Sequence, residues 1–186
     1  MARVSMLLLA CLRGNIFIYQ GEELGLPQAR IAFDQLRDPE AIANWPLTLG
    51  RDGARTPMPW AADAPQLGFS TGEPWLPFGP DHAALAVDRQ EADAGSMLAL
   101  TRRLLAMRRA HPALRTGAIR FLEASDSVLA FERGSGDETL LCVFNLSPQV
   151  QAWQPEQPDQ WQAIEQVGSV DGWSFGPFAA LVASVV

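Results

Sequence analysis

Residues 14–26 read GNIFIYQGEELGL. Ile16 to Tyr19 form a continuous apolar run of β-branched and aromatic residues, the pattern of a parallel strand buried on both faces. Glu22 and Glu23 follow at its carboxyl end, and LGLP (24–27) turns the chain. The preceding stretch, MARVSMLLLACLRG (1–14), carries an early arginine, a short apolar run and a small residue before Cys11. That pattern resembles a bacterial lipoprotein signal. Its apolar run of about nine residues is too short to span a bilayer. A helix over 3–12, stopping at Arg13-Gly14, is favoured because a strand follows at once. Helix, glycine and strand in that order make an αβ unit.

The chain has 186 residues, enough for one ordinary domain or two small ones. It is 48% hydrophobic and 19% charged, with 14 prolines and 15 glycines, a globular composition rich in turns. A formal net charge of −7 argues against a nucleic-acid partner, since phosphate affinity needs clustered Lys and Arg. The one basic cluster, Arg102, Arg103, Arg108 and Arg109, reads as a solvated helix face. Two distant cysteines, Cys11 and Cys142, make no disulfide framework and suggest reduced, buried thiols in a cytoplasmic protein. His82 and His111 are isolated, so no metal spacing exists; His111, ahead of Pro112, reads as a surface residue near a helix end.

Residues 44–80 form a long irregular stretch with prolines at 46, 57, 59, 65, 74, 77 and 80. Loops of that length in compact domains are usually functional. Within it stands GRDGARTPMPW (50–60), which places Arg51 and Arg55 in a stiff turn. Arg offers a planar fork of donors suited to hydroxyls or carboxylates, so both are candidates for a pocket wall. The competing reading is that they only staple the loop to nearby acids. Asp34, Asp38 and Asp52 are expected as caps or ion-pair partners. Glu22 and Glu23 are adjacent and point opposite ways along an extended chain, so they read as loop supports rather than a catalytic pair.

Residues 93–110 have the pattern of a helix capped by Asp93 or Ser96, with Met97, Leu98, Leu104, Leu105 and Met107 filling one side. After Gly117 the texture changes to short β-type runs, IRFLEA, VLAFERG, TLLCVFNLS, WQAIEQV and FAALVASVV, separated by turn signals. The expected fold is α/β plus all-β. Residues 1–116 would be the closing unit of a (β/α)8 barrel, and residues 117–186 an antiparallel β-sandwich.

Five blocks in order carry a resemblance: GNIFIYQGEELGLP, LRDPE, GRDGARTPMPW, LGFSTGEPWLPF and SMLALTRRLLAMRRAHPALRTG. They resemble the carboxyl-terminal part of the α-amylase superfamily, closest to the α-glucosidases and oligo-1,6-glucosidases of glycoside hydrolase family 13. The likeness covers nearly the whole chain and weakens after about residue 145. It implies an eight-stranded barrel whose last strand is Ile16–Tyr19. It further implies that Arg51 binds hydroxyls of the non-reducing terminal glucose and that Arg55 anchors the loop. Glu40 matches a position lining the site of the leaving sugar, and Gln28 matches one near it. An oligosaccharide substrate and no cofactor are implied, with no nucleic-acid or membrane partner. The nucleophile, the acid/base and a stabilising carboxylate of that family come from barrel strands four, five and seven. Those strands precede the matched segment, so no catalytic residue is expected here, and the upstream part of the barrel would be required. Two alternatives remain at this stage: a non-catalytic superfamily member, and a carbohydrate-binding module in 117–186 that stacks sugars on Trp153, Trp161 or Trp173.

Overall fold

The structure is a computed structural model that describes residues 1–48 and 50–186. Its helices are α1 (Ala2–Cys11), α2 (Pro39–Ala43), α3 (Val87–Glu91), α4 (Met97–Ala110) and α5 (Pro112–Arg115). Its strands are β1 (Ala118–Phe121), β2 (Val128–Ser135), β3 (Glu138–Asn145), β4 (Gln151–Ala152), β5 (Trp161–Val167), β6 (Val170–Asp171), β7 (Ser174–Phe175) and β8 (Ala180–Val185). The chain divides into two compact units, one of residues 1–17 with 102–186, the other of residues 18–101.

In the first unit a five-stranded antiparallel sheet has the order β1-β2-β3-β8-β5, and a second, three-stranded sheet has the order β4-β7-β6. Period-two alternation sorts the side chains. Val128, Ala130, Leu141, Val143 and Leu181 face Phe175 and Ala179 in one core, with Trp153, Trp161, Val170 and Trp173 packed at its margin. Phe131 and Phe144 lie on the opposite face and stack with ring centroids 5.7 Å apart. Burying a phenyl ring of this kind contributes about 1.5–3 kcal/mol. Strand β3 is buried over Leu140–Asn145 because it has strands on both sides and material on both faces. Asn145 closes this end: its amide donates to the carbonyls of Gln149, Phe175 and Gly176, and its Oδ1 accepts from Ser147 N. All five β-type runs of the sequence became strands. The two-residue strands β4, β6 and β7 are too short to leave a periodic signal.

The carboxyl end of α1 is held by two guanidinium groups. A helix leaves its last carbonyls without intrahelical partners. Arg108 Nη1 donates to Ala10 O (2.8 Å) and Leu12 O (2.9 Å), and its Nη2 donates to Gly14 O. Arg133 donates to Cys11 O through Nη1 and to Gly117 O through Nη2 (3.0 Å). Both arginines are buried. This corrects the expected solvated face at Arg108, which points inward to carbonyls that charge patterning cannot reveal. His111 also differs from expectation: it is half-buried, with Nδ1 2.6 Å from Glu138 Oε1. Cys11 and Cys142 are both buried free thiols.

The second unit, residues 18–101, contains short helices and turns around a small core of Ala29, Ile31, Leu36, Ala41 and Leu76. Residues 16–19 form no strand, and Phe17 is 84% exposed. The composition favours a strand, yet a ladder requires a partner, and among the described residues none pairs with this run. Helix α4 begins later than its pattern suggested. Asp93 instead folds a turn, accepting from Gly95 N, and Ser96 Oγ caps the helix by accepting from Ala99 N (3.1 Å). Gln90, on α3, is buried with its amide bonded to Leu24 O and Leu85 O and its Oε1 to Leu98 N.

Candidate functional site

The site is built around the RDG turn of residues 51–53. Gly50 has φ +58°, and a Cβ there would lie 2.3 Å from Ala41 Cβ, so only glycine brings the turn against α2. A Cβ at Gly53 would lie 2.1 Å from Ala29 O, whose own N–H donates to Gly53 O at 2.9 Å. The turn is therefore clamped between two backbone segments.

Two carboxylates lock it from within. Asp52 is fully buried; its Oδ2 accepts from Arg37 N (2.6 Å) and Asp38 N (2.7 Å). Asp38 then caps α2 by accepting from Glu40 N and receives Arg51 N at 2.9 Å. It also takes both prongs of the Arg51 guanidinium, Nε to Oδ2 (2.9 Å) and Nη2 to Oδ1 (2.6 Å). The fork-on-fork geometry is the strong form of this pair. The hydrogen bond from the Arg51 side chain holds the Asp38 carboxyl well below the usual carboxylate range, against the opposing effect of desolvation. The same bond raises the Arg51 pKa. The partners differ sharply in exposure: the Asp38 side chain is 0% accessible and that of Arg51 is 60%. Arg51 thus keeps its Nη1 donors and one Nη2 donor for a ligand while its orientation is fixed.

The other expected site residues gather unevenly. Gln28 Nε2 donates to Gly50 O (3.0 Å), next to Arg51. Glu40 receives Asn44 Nδ2 (3.2 Å) and Thr48 Oγ1 (3.2 Å to the nearer oxygen) and stays exposed. Arg55 is half-buried and lines a cavity of about 280 Å³ with Tyr19, Gln20, Thr56, Phe69 and Trp75. Among the described residues it has no carboxylate partner. A second cavity of about 190 Å³ lies beside Tyr19, Gly21, Gln28, Gly53 and Met58. Gln28 reaches both this cavity and the Arg51 turn; Arg51 itself stands outside the cavity's lining. Among the described residues no group of three metal-ligating side chains converges.

Two participants escaped sequence reasoning. His82 is buried, with Nε2 2.8 Å from Thr56 Oγ1, and its Nδ1 has no partner among the described residues. Burial lowers its pKa. The Thr56 carbonyl in turn receives Gln20 Nε2 at 3.2 Å, so this histidine supports the end of the RDGARTP block from 26 residues away. Asp52 was expected as a cap or ion-pair partner, but its role in holding the Asp38 backbone needed the fold.

The alpha amylase catalytic domain matches residues 1–117, and the maltogenic amylase C-terminal domain matches residues 119–170. A probable alpha-glucosidase of Rhizobium meliloti is 49% identical over 140 residues, covering 75% of this chain and 25% of that protein. An oligo-1,6-glucosidase of Halalkalibacterium halodurans is 32% identical over 162 residues, covering 77% of this chain and 29% of the relative. The crystal structure of the alpha-glucosyl transfer enzyme XgtA superposes with a TM-score of 0.90 at 42% identity, covering 100% of this chain and 35% of that one. The chain thus spans about a quarter to a third of the length of these relatives. The resemblance carried by the five sequence blocks is borne out, and the chain belongs to the alpha-amylase family, joining part of its catalytic domain to an antiparallel C-terminal domain.

Proposed function

We propose that this chain is the carboxyl-terminal part of a cytoplasmic α-glucosidase that hydrolyses or transfers terminal α-linked glucose from oligosaccharides. The observation that carries the reading is the Arg51–Asp38 clasp: one guanidinium, oriented by a sealed carboxylate, with donors to spare and 60% exposure. The far end of a terminal glucose offers adjacent hydroxyls, and a fixed planar fork can donate to two of them. A rigid wall there favours attack at chain ends over attack within a chain. Glu40, with Asn44 and Thr48 on its carboxylate, and Gln28, on the carbonyl beside Arg51, would border the leaving sugar. Arg55 would line the adjoining cavity.

A retaining glycosidase needs a nucleophile and an acid/base about 5–5.5 Å apart. We assign neither to this chain. Its share of the work is binding and orientation; the barrel segment that carries the reacting carboxylates would be supplied from upstream. Assay of the purified 186-residue chain on maltose and 4-nitrophenyl α-glucoside tests the division of labour. No turnover is expected, whereas turnover abolished by Arg51→Ala would place the chemistry in this chain.

A further inference from the structure

The 1–17 and 102–186 unit holds a cavity of which the glucosidase reading makes no use. Its volume is about 510 Å³, within the range of small-molecule sites. Arg120, Glu132, Trp153, Gln157, Gln160 and Trp161 line it, and all come from the β domain. Arg120 and Glu132 pair across β1 and β2, with Nη2 2.6 Å and Nε 3.1 Å from the same carboxylate oxygen. Glu132 lies on the sheet face shared with Ala130 and Val128, opposite the face on which Arg133 reaches α1. The cavity therefore opens away from the helices.

Its chemistry is selective. Trp153 is fixed by Nε1 donating to Glu123 O (3.0 Å) and by an edge-on contact with Trp173. Trp161 packs on the sandwich core, and its buried Nε1–H has no acceptor among the described residues. Two indoles, three glutamine amides and one carboxylate–guanidinium pair surround a single space. Indoles offer flat apolar surface with a polar edge. The amides and the ion pair offer donors and acceptors in several directions. The lining has one arginine against Glu123, Glu132 and Glu156, which disfavours an anion. A neutral ligand with one apolar face and a belt of hydroxyls fits, which is the description of a pyranose ring.

We propose that this cavity is a non-catalytic carbohydrate-binding site for a short α-linked gluco-oligosaccharide, independent of Arg51. The choice of α-linked glucose rests on the proposed glucosidase function; the site itself does not. Isothermal titration of the full 186-residue chain with maltotriose, isomaltotriose and cellotriose tests it. Arg120 is 68% exposed in its side chain, so Arg120→Ala spares the core, and Gln157→Ala supplies a second variant. Each is expected to weaken maltotriose or isomaltotriose binding about tenfold or more. Absence of binding, or binding unchanged in both Arg120→Ala and Gln157→Ala, overturns the proposal. Binding of cellotriose alone overturns the α-linked ligand.

Discussion

Arg133 and Arg51 solve opposite problems. Arg133 is fully buried and has no carboxylate partner among the described residues; the carbonyls of Cys11, Gly117 and Ala118 satisfy it, and burial lowers its pKa. Arg51 stands in the 18–101 unit, 60% exposed, on a carboxylate that is itself sealed. The first spends its donors on the protein's own backbone. The second spends two on Asp38 and keeps the rest. What separates a structural arginine from a binding arginine is therefore the count of donors left over, not burial of its partner.

The largest effect should come from breaking the buried case. Arg133→Met leaves helix-end and loop carbonyls without donors in a closed core, and should cost about 3 kcal/mol or more in urea denaturation. A transition within error of wild type would show that those carbonyls find other partners. Arg51→Met leaves the sealed Asp38 without its guanidinium and should lower the midpoint too, but by less than Arg133→Met, because Asp38 keeps the backbone donors of Glu40 and Arg51.

Acidification acts on the 18–101 unit through two groups, both with lowered pKa values. Asp38 has a lowered folded pKa, caused first by its bond to Arg51. Its contribution is fully present above the unfolded carboxylate value of about 3.9 and is lost as pH falls below it. Asp38→Asn should then flatten the loss of stability below about pH 4, measured by thermal melts from neutral pH into that range. An unchanged acid limb would mean that the clasp contributes little. A smaller effect is expected from His82, whose pKa is lowered by burial. A base depressed on folding contributes above its unfolded value of about 6.5 and loses that contribution as pH falls through the folded one. Its imidazole resonances should titrate with a midpoint below about 6.5 by NMR, and a midpoint above that would remove it as a neutral support for Thr56.

The comparison also shows how far the sequence could be read. The β runs were legible because alternating and continuous apolar patterns are local, and each found a partner in its sheet. Ile16–Tyr19 had the same local signal and no ladder, because strand pairing is supplied by neighbours rather than by propensity. Asp38 and Asp52 were identifiable as caps or partners from their places in LRDPE and GRDGA. Which acid takes the guanidinium and which takes the backbone was not, since both sit one residue after an arginine. Arg108 and His82 were misread or passed over because their partners lie 94–98 and 26 residues away. Of the β-domain cavity the sequence offered only Trp153 and Trp161 as stacking candidates; that they share a space with Arg120 and Glu132 was not legible, because its walls come from β1, β2 and the segment from Trp153 to Trp161.

The central claim is that Arg51, aimed by Asp38, grips the terminal sugar. It is tested most directly by kcat/KM on 4-nitrophenyl α-glucoside for the full-length enzyme proposed to contain this chain, comparing wild type with Arg51→Ala at matched folded fraction. The account predicts a fall of about a hundredfold. An unaltered kcat/KM would contradict it.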